Sequence, residues 1–457
     1  MSFLDSLRQL FASEDLAFDE PRRAEYGRDE SDQGSFLPEV VAFARETAQV
    51  SRLLALCQAE RVPVTPVGAR SGKSGGSLPV RGGVSLSLEG MNRILEVSAE
   101  DLTAVVQPGV ILEDLQRAVE SKNLFYPPDP NSQALCTLGG NIAENAGGPR
   151  ALKYGVTRDY VLGMEWVVPT GEVLRVGKRT IKGVAGYDLC ALFVGSEGTL
   201  GVATEATLQL LPLPRAVQTA LLLFASLDSA ARAVTAILGG GILPRTLELL
   251  DPVAIRAVQN ARAFDFPVGT AAAIIVEVDG DEPEALLAEL GRVGELAQGQ
   301  GAREVLVAQN ASQRERIWSA RRQVSPSLRK LTQHKLSEDI VVPRSQIPAM
   351  ISSTHEMGRR LGLTVATYGH AGDGNLHANV LYDGPEDLPR VQEAMATIMR
   401  EAVRLGGTIT GEHGVGLAKR SYLPLEQGAP LIEWQRRLQR LFDPSGIMNP
   451  GKLFPEP

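Results

Sequence analysis

The sequence predicts an α+β protein of two or three domains, in which a glycine-rich first half precedes a half of alternating strands and helices. The chain has 457 residues, which is too long for one hydrophobic core, because cores stop growing at roughly 250–300 residues. Short extended segments and glycine clusters fill the chain up to about residue 213, where PLPRAV marks a boundary. From residue 218 strands such as ALLLFA and AAAIIVEV alternate with helical segments, which predicts a second domain of different construction.

The first half opens with a predicted strand–helix–strand unit. VVAF, near residue 40, is typical of a strand, and apolar residues from Val50 to Cys57 recur at helical spacing. Thr47 stands where a helix-capping residue is expected. VPVTPVG then predicts a strand that ends in a glycine-rich turn, and a further helix is expected near residues 111–122.

The second half repeats a strand followed by an amphipathic helix. ALLLFA precedes SLDSAARAVTAIL, and AAAIIVEV precedes PEALLAELGRVGELA. DIVVP, TVATYGH and HANVLY predict further strands, with a helix near residues 345–361 between the first two. A last helix, PLIEWQRRLQRLF, leads into the Pro- and Gly-rich tail DPSGIMNPGKLF, which we expect to dock on another part of the protein.

Composition excludes several classes of function. The net charge is −8 and basic residues form no block, so no nucleic-acid partner is expected. The three cysteines, Cys57, Cys136 and Cys190, are too few and too far apart for a disulfide framework or an iron–sulfur cluster. The N-terminus lacks an apolar signal region, and the longest apolar runs are strand-sized. We therefore expect a cytoplasmic protein without a transmembrane segment, which a partner could hold at the membrane surface.

Three loops of the first half are dense in glycine, hydroxyl and amide groups. They read PVGARSGKSGGSLP at residues 66–79, CTLGGNIAENAGG at 136–148 and VGSEGTLGV at 194–202. Backbone N–H groups in such loops can converge on an anion. Neither of the common nucleotide motifs, GxGxxG or GxxxxGK[ST], is present, and one such loop alone is equally typical of a flexible surface loop. Three together favour a long ligand with a pyrophosphate and a ring system.

Three of the five histidines lie in glycine-rich turns of the second half. His370 and His377 flank AGDGNL, and Glu412 and His413 lie in ITGEHGVG. Imidazole and carboxylate groups are the usual ligands of a catalytic transition metal. Any one of these histidines alone is more typical of a core or loop residue. Their joint occurrence at the ends of two predicted strands favours a metal or catalytic site.

Longer motifs show a resemblance to a known flavoprotein family. PVGARSGKSGGSLP, PPDPNSQALCTLGGNIAENAGG, LKYGVTRDYVLGMEWVVPTGEV, VAGYDL and VGSEGTLGV resemble the FAD-binding half of the D-lactate/glycolate/D-2-hydroxyglutarate dehydrogenases of the vanillyl-alcohol-oxidase superfamily. HAGDGNLH, GEHGVGLAKR and DPSGIMNPGKLFP resemble that family's C-terminal motifs in the same order. The resemblance runs from about Tyr26 to Phe454. It implies a PCMH-type FAD-binding domain at residues 1–217, completed by 426–457, and a central α+β substrate (cap) domain with an antiparallel sheet at 218–425.

The resemblance also implies which residues bind FAD. Related enzymes often have glycine where this chain has Arg70, whose charge could meet the pyrophosphate or point to solvent. Since no histidine precedes His334, a histidyl link from the N-terminal domain is excluded. Cys136 is the one alternative tether, but such family members usually hold FAD non-covalently, and we expect dissociable FAD. The implied FAD-binding residues are Pro66, Gly68, Arg70, Ser71, Gly72, Ser74, Gly75, Gly76, Ser77, Pro130, Thr137, Gly139, Gly140, Asn141, Asn145, Gly147, Gly148, Glu197, Gly198, Gly201, Val202 and Asn449.

In the second half the resemblance implies a metal centre. His370, His377 and Glu412 fall on the divalent-metal ligands of the metal-using members. These ligand types suit zinc, manganese, iron or cobalt. Asp373 either orients one of the ligand histidines or stabilises its own turn.

The remaining implied site residues bind and activate the substrate. His413 falls on the active-site base, and Asn379 on an amide that contacts the substrate. Arg321 matches the arginine whose planar fork grips the substrate carboxylate. In the 2-hydroxyglutarate enzymes a lysine occupies the position of Ser337, so its absence weakens the case for a substrate with a distal carboxylate.

The resemblance predicts oxidation of a small (R)-2-hydroxy acid, with D-lactate going to pyruvate by hydride transfer to flavin N5. Alternatives are a glycolate or D-2-hydroxyglutarate dehydrogenase, a non-catalytic FAD subunit of a larger dehydrogenase, and a metal-dependent hydrolase. Electrons would pass to an acceptor other than NAD, namely a quinone, an electron-transfer flavoprotein or an iron–sulfur partner subunit. A homodimer is compatible with the sequence.

Overall fold

The computed structural model describes residues 2–456, which form two compact units. The first unit is discontinuous in sequence, and a short segment within its span belongs to the second. The domain limits predicted from the sequence lie at 217/218 and 425/426. They remain predictions and are not equated with the limits of these two units. The first unit comprises Met1–Gly147, Gly155–Leu213 and Glu412–Pro457, and the second comprises Gly148–Tyr154 and Pro214–Gly411.

Up to residue 213 the chain forms mainly short strands joined by glycine-rich loops. The strands are β1 (Leu16–Ala17), β2 (Val40–Phe43), β3 (Val64–Val67), β4 (Val84–Ser87), β5 (Ile94–Ser98), β6 (Thr103–Val106), β7 (Leu124–Phe125), β8 (Val161–Val167), β9 (Val173–Gly177), β10 (Val202–Gln209) and β11 (Leu211–Pro212). The helices are α1 (Phe3–Leu10), α2 (Glu20–Glu25), α3 (Thr47–Glu60), α4 (Leu112–Glu120), α5 (Leu138–Glu144), α6 (Ala151–Tyr154) and α7 (Leu189–Phe193). Of these helices, α6 belongs to the second unit.

Two larger sheets organise the first unit. One, called the parallel sheet below, has four strands in the order β1-β2-β4-β3. Its β4 is parallel to both β2 and β3, and the two-residue β1 is antiparallel to β2. The other has five antiparallel strands in the order β5-β6-β10-β8-β9. The loop that follows β3 is the first of the glycine-rich loops, so the parallel sheet determines where that loop begins.

Helix α3 connects two strands of the parallel sheet and turns its apolar side inward. The prediction that Thr47 caps this helix is wrong, because the helix begins at Thr47 and Glu46 occupies the cap position without a side-chain hydrogen bond. The spacing of the apolar residues nevertheless predicts the buried face correctly. The fully buried residues of that face are Val50, Leu53, Leu54 and Cys57.

The second unit alternates strands and helices, as its sequence texture predicts. Its strands are β12 (Ala216–Phe224), β13 (Thr246–Leu250), β14 (Ala272–Gly280), β15 (Ala302–Val307), β16 (His334–Val341), β17 (Thr364–His370) and β18 (Asn375–Tyr382). Besides α6, its α-helices are α8 (Leu227–Gly239), α9 (Pro252–Asn260), α10 (Pro283–Gly299), α11 (Ala311–Arg322), α12 (Val324–Leu328), α13 (Ile347–Leu361) and α14 (Leu388–Arg404).

All seven strands of the second unit join one antiparallel sheet in the order β15-β12-β14-β13-β17-β18-β16. The predicted α+β class with an antiparallel sheet is therefore confirmed. Buried side chains of α9, α11 and α12 form one core with strand residues such as Leu221, Ile275 and Ala366. Among residues 2–456, no helix is both long enough and apolar enough to cross a bilayer.

The C-terminal part of the first unit ends on the parallel sheet. It contains α15 (Leu423–Glu426) and α16 (Ala429–Phe442). Beyond them the Val64 N–H donates to the Ile447 carbonyl, and the Asn449 N–H donates to the Val64 carbonyl, each at 2.8 Å. The Asp443 carboxylate accepts from the N–H groups of Ile447 and Met448 at 3.1 and 2.8 Å. The tail is thus hydrogen-bonded beside β3.

Candidate functional site

The first two glycine-rich loops lie side by side in the first unit. A Cβ on Gly68 would stand 2.4 Å from the Thr137 hydroxyl oxygen, so only glycine allows this approach. Thr137 is the N-cap of α5, and its hydroxyl accepts from the Gly140 N–H at 3.4 Å. The first loop, at Gly68, therefore packs directly against the start of α5 in the second loop.

The third loop joins them through the C-terminal tail. The Asn449 amide donates to the carbonyls of Gly76 and Glu197, each at 2.8 Å. The Glu197 carboxylate accepts from the N–H groups of Val415 at 2.8 Å and Gly416 at 2.6 Å. One amide thus connects loop 66–79, loop 194–202 and the tail. All the predicted FAD-binding residues except Gly148 belong to this first unit.

The loop region fits a polar ligand such as FAD. Among the described residues, the buried atoms at this place that lack a hydrogen-bond partner include the side-chain nitrogen of Asn141 and the hydroxyl oxygen of Ser196. Buried polar atoms are seldom left unsatisfied, so a bound group is the natural partner. A Cβ on Gly72 would meet no atom within 4 Å, which leaves open space beside the first loop.

Glu144, at the end of α5, is a buried carboxyl group that the sequence did not single out. Its Oε1 accepts from the Ser74 hydroxyl at 3.1 Å. Burial raises the pKa of Glu144 well above its usual value, and the charge of Glu197 raises it further. Both effects disfavour the charged form of the Glu144 carboxyl group.

Arg70 forms ion pairs and an aromatic contact within the first unit. Its guanidinium pairs with Glu89 at 2.8 Å and with Glu25 at 3.1 Å. It also lies over the Tyr26 ring, 4.2 Å from the ring centroid. The guanidinium is thus half-buried among carboxylates and an aromatic ring, and its contact with FAD stays a prediction.

In the second unit, His370 and His377 lie on one face of the β17–β18 hairpin. The register pairs His370 with Asn375 and Tyr368 with His377, so the two histidines are diagonal neighbours. Their ring centroids are 5.4 Å apart, and they offer ring nitrogens within 4.8 Å of each other. Gly374 makes the turn at φ +89°, and a Cβ there would stand 2.0 Å from the Val342 carbonyl oxygen. The hairpin thus brings together two buried imidazoles in the way a metal ligand pair requires.

Glu248 on β13 completes this arrangement, although the sequence did not single it out. In the register of β13 and β17 it lies opposite His370. Its carboxylate, fully buried, is hydrogen-bonded to His370 Nδ1 and accepts from Arg321 Nε at 2.6 Å. Burial acts to raise the pKa of Glu248, but the charges of His370 and Arg321 outweigh burial and lower the pKa to about 2. A lone carboxylate in the apolar strand TLELL was the signal that could have identified it.

Arg321 and Asn379 offer polar atoms beside the two histidines. Arg321 on α11 is 6% exposed, and its guanidinium carbon lies 4.7 Å from the centroid of the Tyr368 ring. Asn379 lies two residues after His377 on β18, so it faces the same side of the sheet. Among residues 2–456, neither Arg321 Nη2 nor Asn379 Oδ1 has a hydrogen-bond partner. These two buried atoms are suited to a carboxylate and a hydroxyl group of a substrate.

Two further predicted positions have structural contacts. The Asp373 carboxylate accepts from the Asn375 N–H at 3.1 Å, which is the turn role that the sequence allowed. Ser337 lies opposite Asn379 in the register of β16 and β18, so an uncharged side chain occupies that position. Gly148 belongs to the segment Gly148–Tyr154, which ends in α6. At the end of that segment the Tyr154 hydroxyl donates to the Asp279 carboxylate at 2.8 Å.

Glu412 and His413 begin the last part of the first unit. They directly follow Gly411, whose N–H donates to the buried carboxylate of Asp339 at 2.8 Å. Both are half-buried, and His413 Nε2 lies 3.8 Å from Glu412 Oε1. A Cβ on Gly411 would stand 2.5 Å from the Asn375 side-chain nitrogen, which explains the glycine before Glu412. Their predicted roles as metal ligand and base stay predictions.

The comparisons with known proteins define the class of protein. Residues 38–177 match the FAD binding domain, and residues 213–453 match the C-terminal domain of FAD linked oxidases. The solved structure of p-cresol methylhydroxylase has a TM-score of 0.81 at 17% identity, with 99% of this chain and 96% of that chain covered. The fold is therefore the predicted vanillyl-alcohol-oxidase/PCMH type, and the class is that of FAD-dependent oxidoreductases.

Relatives of known name narrow the class to a family. The chain is 41% identical to the glycolate oxidase subunit GlcD of Bacillus subtilis, over 98% of this chain and 96% of that protein. It is 35% identical to a D-lactate dehydrogenase of Anaerostipes hadrus, over 92% of this chain and 90% of that protein. This protein belongs to the FAD-linked oxidase family. The predicted FAD is thereby confirmed, whereas the metal stays a prediction.

The attachment of FAD can be tested through Cys136. This residue is 4% exposed, and burial raises the pKa of its thiol. Because the thiolate is the nucleophile, a thiol held protonated is poorly suited to form a link to the flavin. We expect denaturation followed by ultrafiltration to release all the FAD into the filtrate, as measured by absorbance. Yellow colour retained with the denatured chain, and lost in Cys136→Ser, would show a covalent link instead.

Proposed function

We propose that this protein oxidises a small (R)-2-hydroxy acid, D-lactate first, to the corresponding 2-keto acid. The observation that supports this most is the Glu248 bridge, which places a carboxylate-binding guanidinium next to an imidazole suited to a metal. The substrate of such a site has a carboxylate beside a hydroxyl group. The names of two relatives, a glycolate oxidase subunit and a D-lactate dehydrogenase, agree with this chemistry.

Each polar residue has one task in the proposed reaction. Arg321 binds the substrate carboxylate through its guanidinium, and Asn379 contacts the substrate through its side-chain amide. His413 takes the proton of the 2-hydroxyl group. Loss of the Cα hydrogen as a hydride, which bound FAD would accept, would complete the keto product. Bound FAD supplies the two-electron acceptor.

The metal proposal concerns His370, His377 and Glu412. The imidazoles of the first two fit a divalent ion because they are buried and close together on one hairpin. Bound there, zinc, manganese, iron or cobalt would lower the pKa of the substrate hydroxyl group. Asp339 holds the N–H of Gly411 and so limits the freedom of the chain at the residue before Glu412.

Glycolate is the second candidate substrate, because the Bacillus subtilis relative is named a glycolate oxidase subunit. D-2-hydroxyglutarate is less favoured, since the uncharged Ser337 lies opposite Asn379. We propose that the electrons leave to a quinone, an electron-transfer flavoprotein or a partner iron–sulfur subunit. The word subunit in the relatives' names supports a partner.

Anaerobic mixing with substrate tests the proposed function. D-lactate, and more slowly glycolate, are expected to bleach the visible absorbance of the oxidised flavin. L-lactate is the matched control, because the opposite enantiomer cannot present its Cα hydrogen to the flavin while its carboxylate is bound. If no short 2-hydroxy acid bleaches the flavin, the proposal is wrong and a non-catalytic FAD subunit is favoured. A colourless protein would favour the hydrolase alternative.

A further inference from the structure

Glu248 joins two groups to which the proposed reaction gives different tasks. One oxygen of its carboxylate accepts from Arg321 Nε at 2.6 Å, and the other is hydrogen-bonded to His370 Nδ1. We infer that Glu248 is a positioning residue that orients the carboxylate-binding arginine and the metal-facing nitrogen of His370 together. This inference rests on the proposed function and deepens it.

Burial makes this arrangement rigid. Glu248 is fully buried, Arg321 is 6% exposed and His370 is 2% exposed. A carboxylate removed from water is costly unless charged or hydrogen-bonding groups surround it. Rotation of the Glu248 side chain would leave a buried donor unsatisfied on Arg321 or His370. The side chains of Glu248, Arg321 and His370 therefore hold one another in fixed orientations.

The bond to His370 selects the tautomer of the imidazole. When Nδ1 carries the proton and donates it to Glu248, Nε2 presents its lone pair. A carboxylate behind a ligand histidine has this effect in many metal sites, and its loss usually weakens metal affinity by about 10–100-fold. Glu248 thus selects the tautomer in which Nε2 of His370 can bind a metal. The position of His370 at the strand end does not by itself select this tautomer.

The bond to Arg321 selects which guanidinium nitrogens remain for the substrate. Glu248 takes Nε–H, and Nη2 has no hydrogen-bond partner among residues 2–456. Tyr368 lies under the guanidinium plane, with its ring centroid 4.7 Å from the guanidinium carbon. Glu248 thereby holds the guanidinium at its Nε edge, and the Tyr368 ring covers one of its faces. Its remaining edge can bind a carboxylate.

The bridge also limits the substrate class. The two oxygens of a single carboxyl group set the spacing between the carboxylate-binding group and the metal-facing imidazole. We expect this arrangement to suit a substrate whose hydroxyl stands on the carbon next to its carboxylate. We therefore expect 2-hydroxy acids to be oxidised and 3-hydroxy acids, such as 3-hydroxybutyrate, to be at least about 100-fold poorer in kcat/KM, since misplaced reacting groups cost factors of this size.

Glu248→Gln is the main test, made on the FAD-loaded full chain. The glutamine amide is isosteric but would donate to His370 Nδ1, which moves the ring proton to Nε2 and blocks the lone pair. After removal of metal with a chelator, Zn²⁺ affinity is measured by titration and elemental analysis, and His370→Ala identifies the Zn²⁺ of this site. We expect Glu248→Gln to bind Zn²⁺ about 10–100-fold more weakly. We also expect KM for D-lactate to rise about 10-fold, as the loss of a hydrogen bond to a charged group predicts.

Two further variants separate positioning from general destabilisation. Glu248→Asp keeps the charge but shortens the side chain, so it should fold if Glu248→Gln does not, and should show intermediate losses in Zn²⁺ affinity and KM. Asp251→Asn is the matched control. Asp251 is also fully buried near the same strand, and it binds His355 Nε2 at 2.8 Å and the Thr367 N–H at 2.7 Å. We expect this control to lower thermal stability without changing Zn²⁺ affinity.

The outcomes distinguish this inference from the proposed function. Zn²⁺ affinity and KM equal to wild type in the Glu248 variants would overturn the inference, as would a wild-type protein that binds no Zn²⁺ at His370. Losses of the same size in Asp251→Asn would also overturn it. If wild-type protein oxidises no 2-hydroxy acid, the proposed function fails, and the Zn²⁺ comparison alone then decides the role of Glu248.

Discussion

Replacing His413 with alanine is expected to slow the reduction of bound FAD by D-lactate about 10²–10⁴-fold, the usual contribution of a positioned acid–base residue. The physical reason is that the variant lacks the imidazole proposed to take the hydroxyl proton as the hydride leaves. The FAD content should stay unchanged, because His413 is not among the residues expected to bind FAD. The measurement is anaerobic stopped-flow absorbance of the flavin with saturating D-lactate.

His334→Ala is the control for the His413 variant. His334 is exposed, and its ring stacks on Tyr382 with a centroid distance of 5.0 Å. Its removal should leave flavin reduction at the wild-type rate. A wild-type rate in His413→Ala with full FAD content would remove His413 from the mechanism and would point to another base.

Replacing Arg321 with lysine is expected to lower kcat/KM for D-lactate by about 100-fold, the cost of losing one or two strong hydrogen bonds to a charged group. Lysine keeps the positive charge but is a point charge, so it cannot bond Glu248 with one nitrogen while binding a carboxylate with others. Most of the loss should appear in KM. Steady-state kinetics with an artificial dye acceptor measure it.

The neighbouring arginine offers a matched control. Arg322 lies on the same helix, is exposed, and pairs with the exposed Glu315. Since exposed ion pairs contribute little, Arg322→Lys should change kcat/KM by less than about twofold. An unchanged KM in Arg321→Lys would show that the guanidinium does not bind the substrate carboxylate.

The contrast between these two arginines shows what tertiary structure adds to the sequence. Both stand in the run RIWSARRQV, and periodicity alone gives no reason to separate them. Arg321 is buried because its side of α11 packs towards the core of the second unit. There its Nε–H donates to the Glu248 carboxylate. Charge in a helix is therefore an insufficient guide, and burial distinguishes Arg321, the residue proposed to bind substrate, from the exposed Arg322.

Local pattern alone determined much of this protein. Apolar spacing predicted the buried face of α3, and the alternation of strands and helices after residue 218 predicted a separate α+β unit, whereas its antiparallel sheet was implied by the family resemblance. The hairpin TYGHAGDGNLHANV could also be predicted, because a tight glycine turn between strands brings His370 and His377 to one face. These features depend on residues close together in sequence, for which backbone geometry fixes the relation of side chains.

Only the tertiary structure identified the carboxylate that organises the site. Glu248 lies 73 positions from Arg321 and 122 positions from His370, and its strand pairs with β17 in a register that no local pattern specifies. Likewise, the ion pairs of Arg70 depend on Glu25 and Glu89, which are distant in sequence. Sequence periodicity predicts which face of an element is buried. Which charged groups meet inside the core is decided by strand order and packing, because a buried charge is stable only where its partner is also placed.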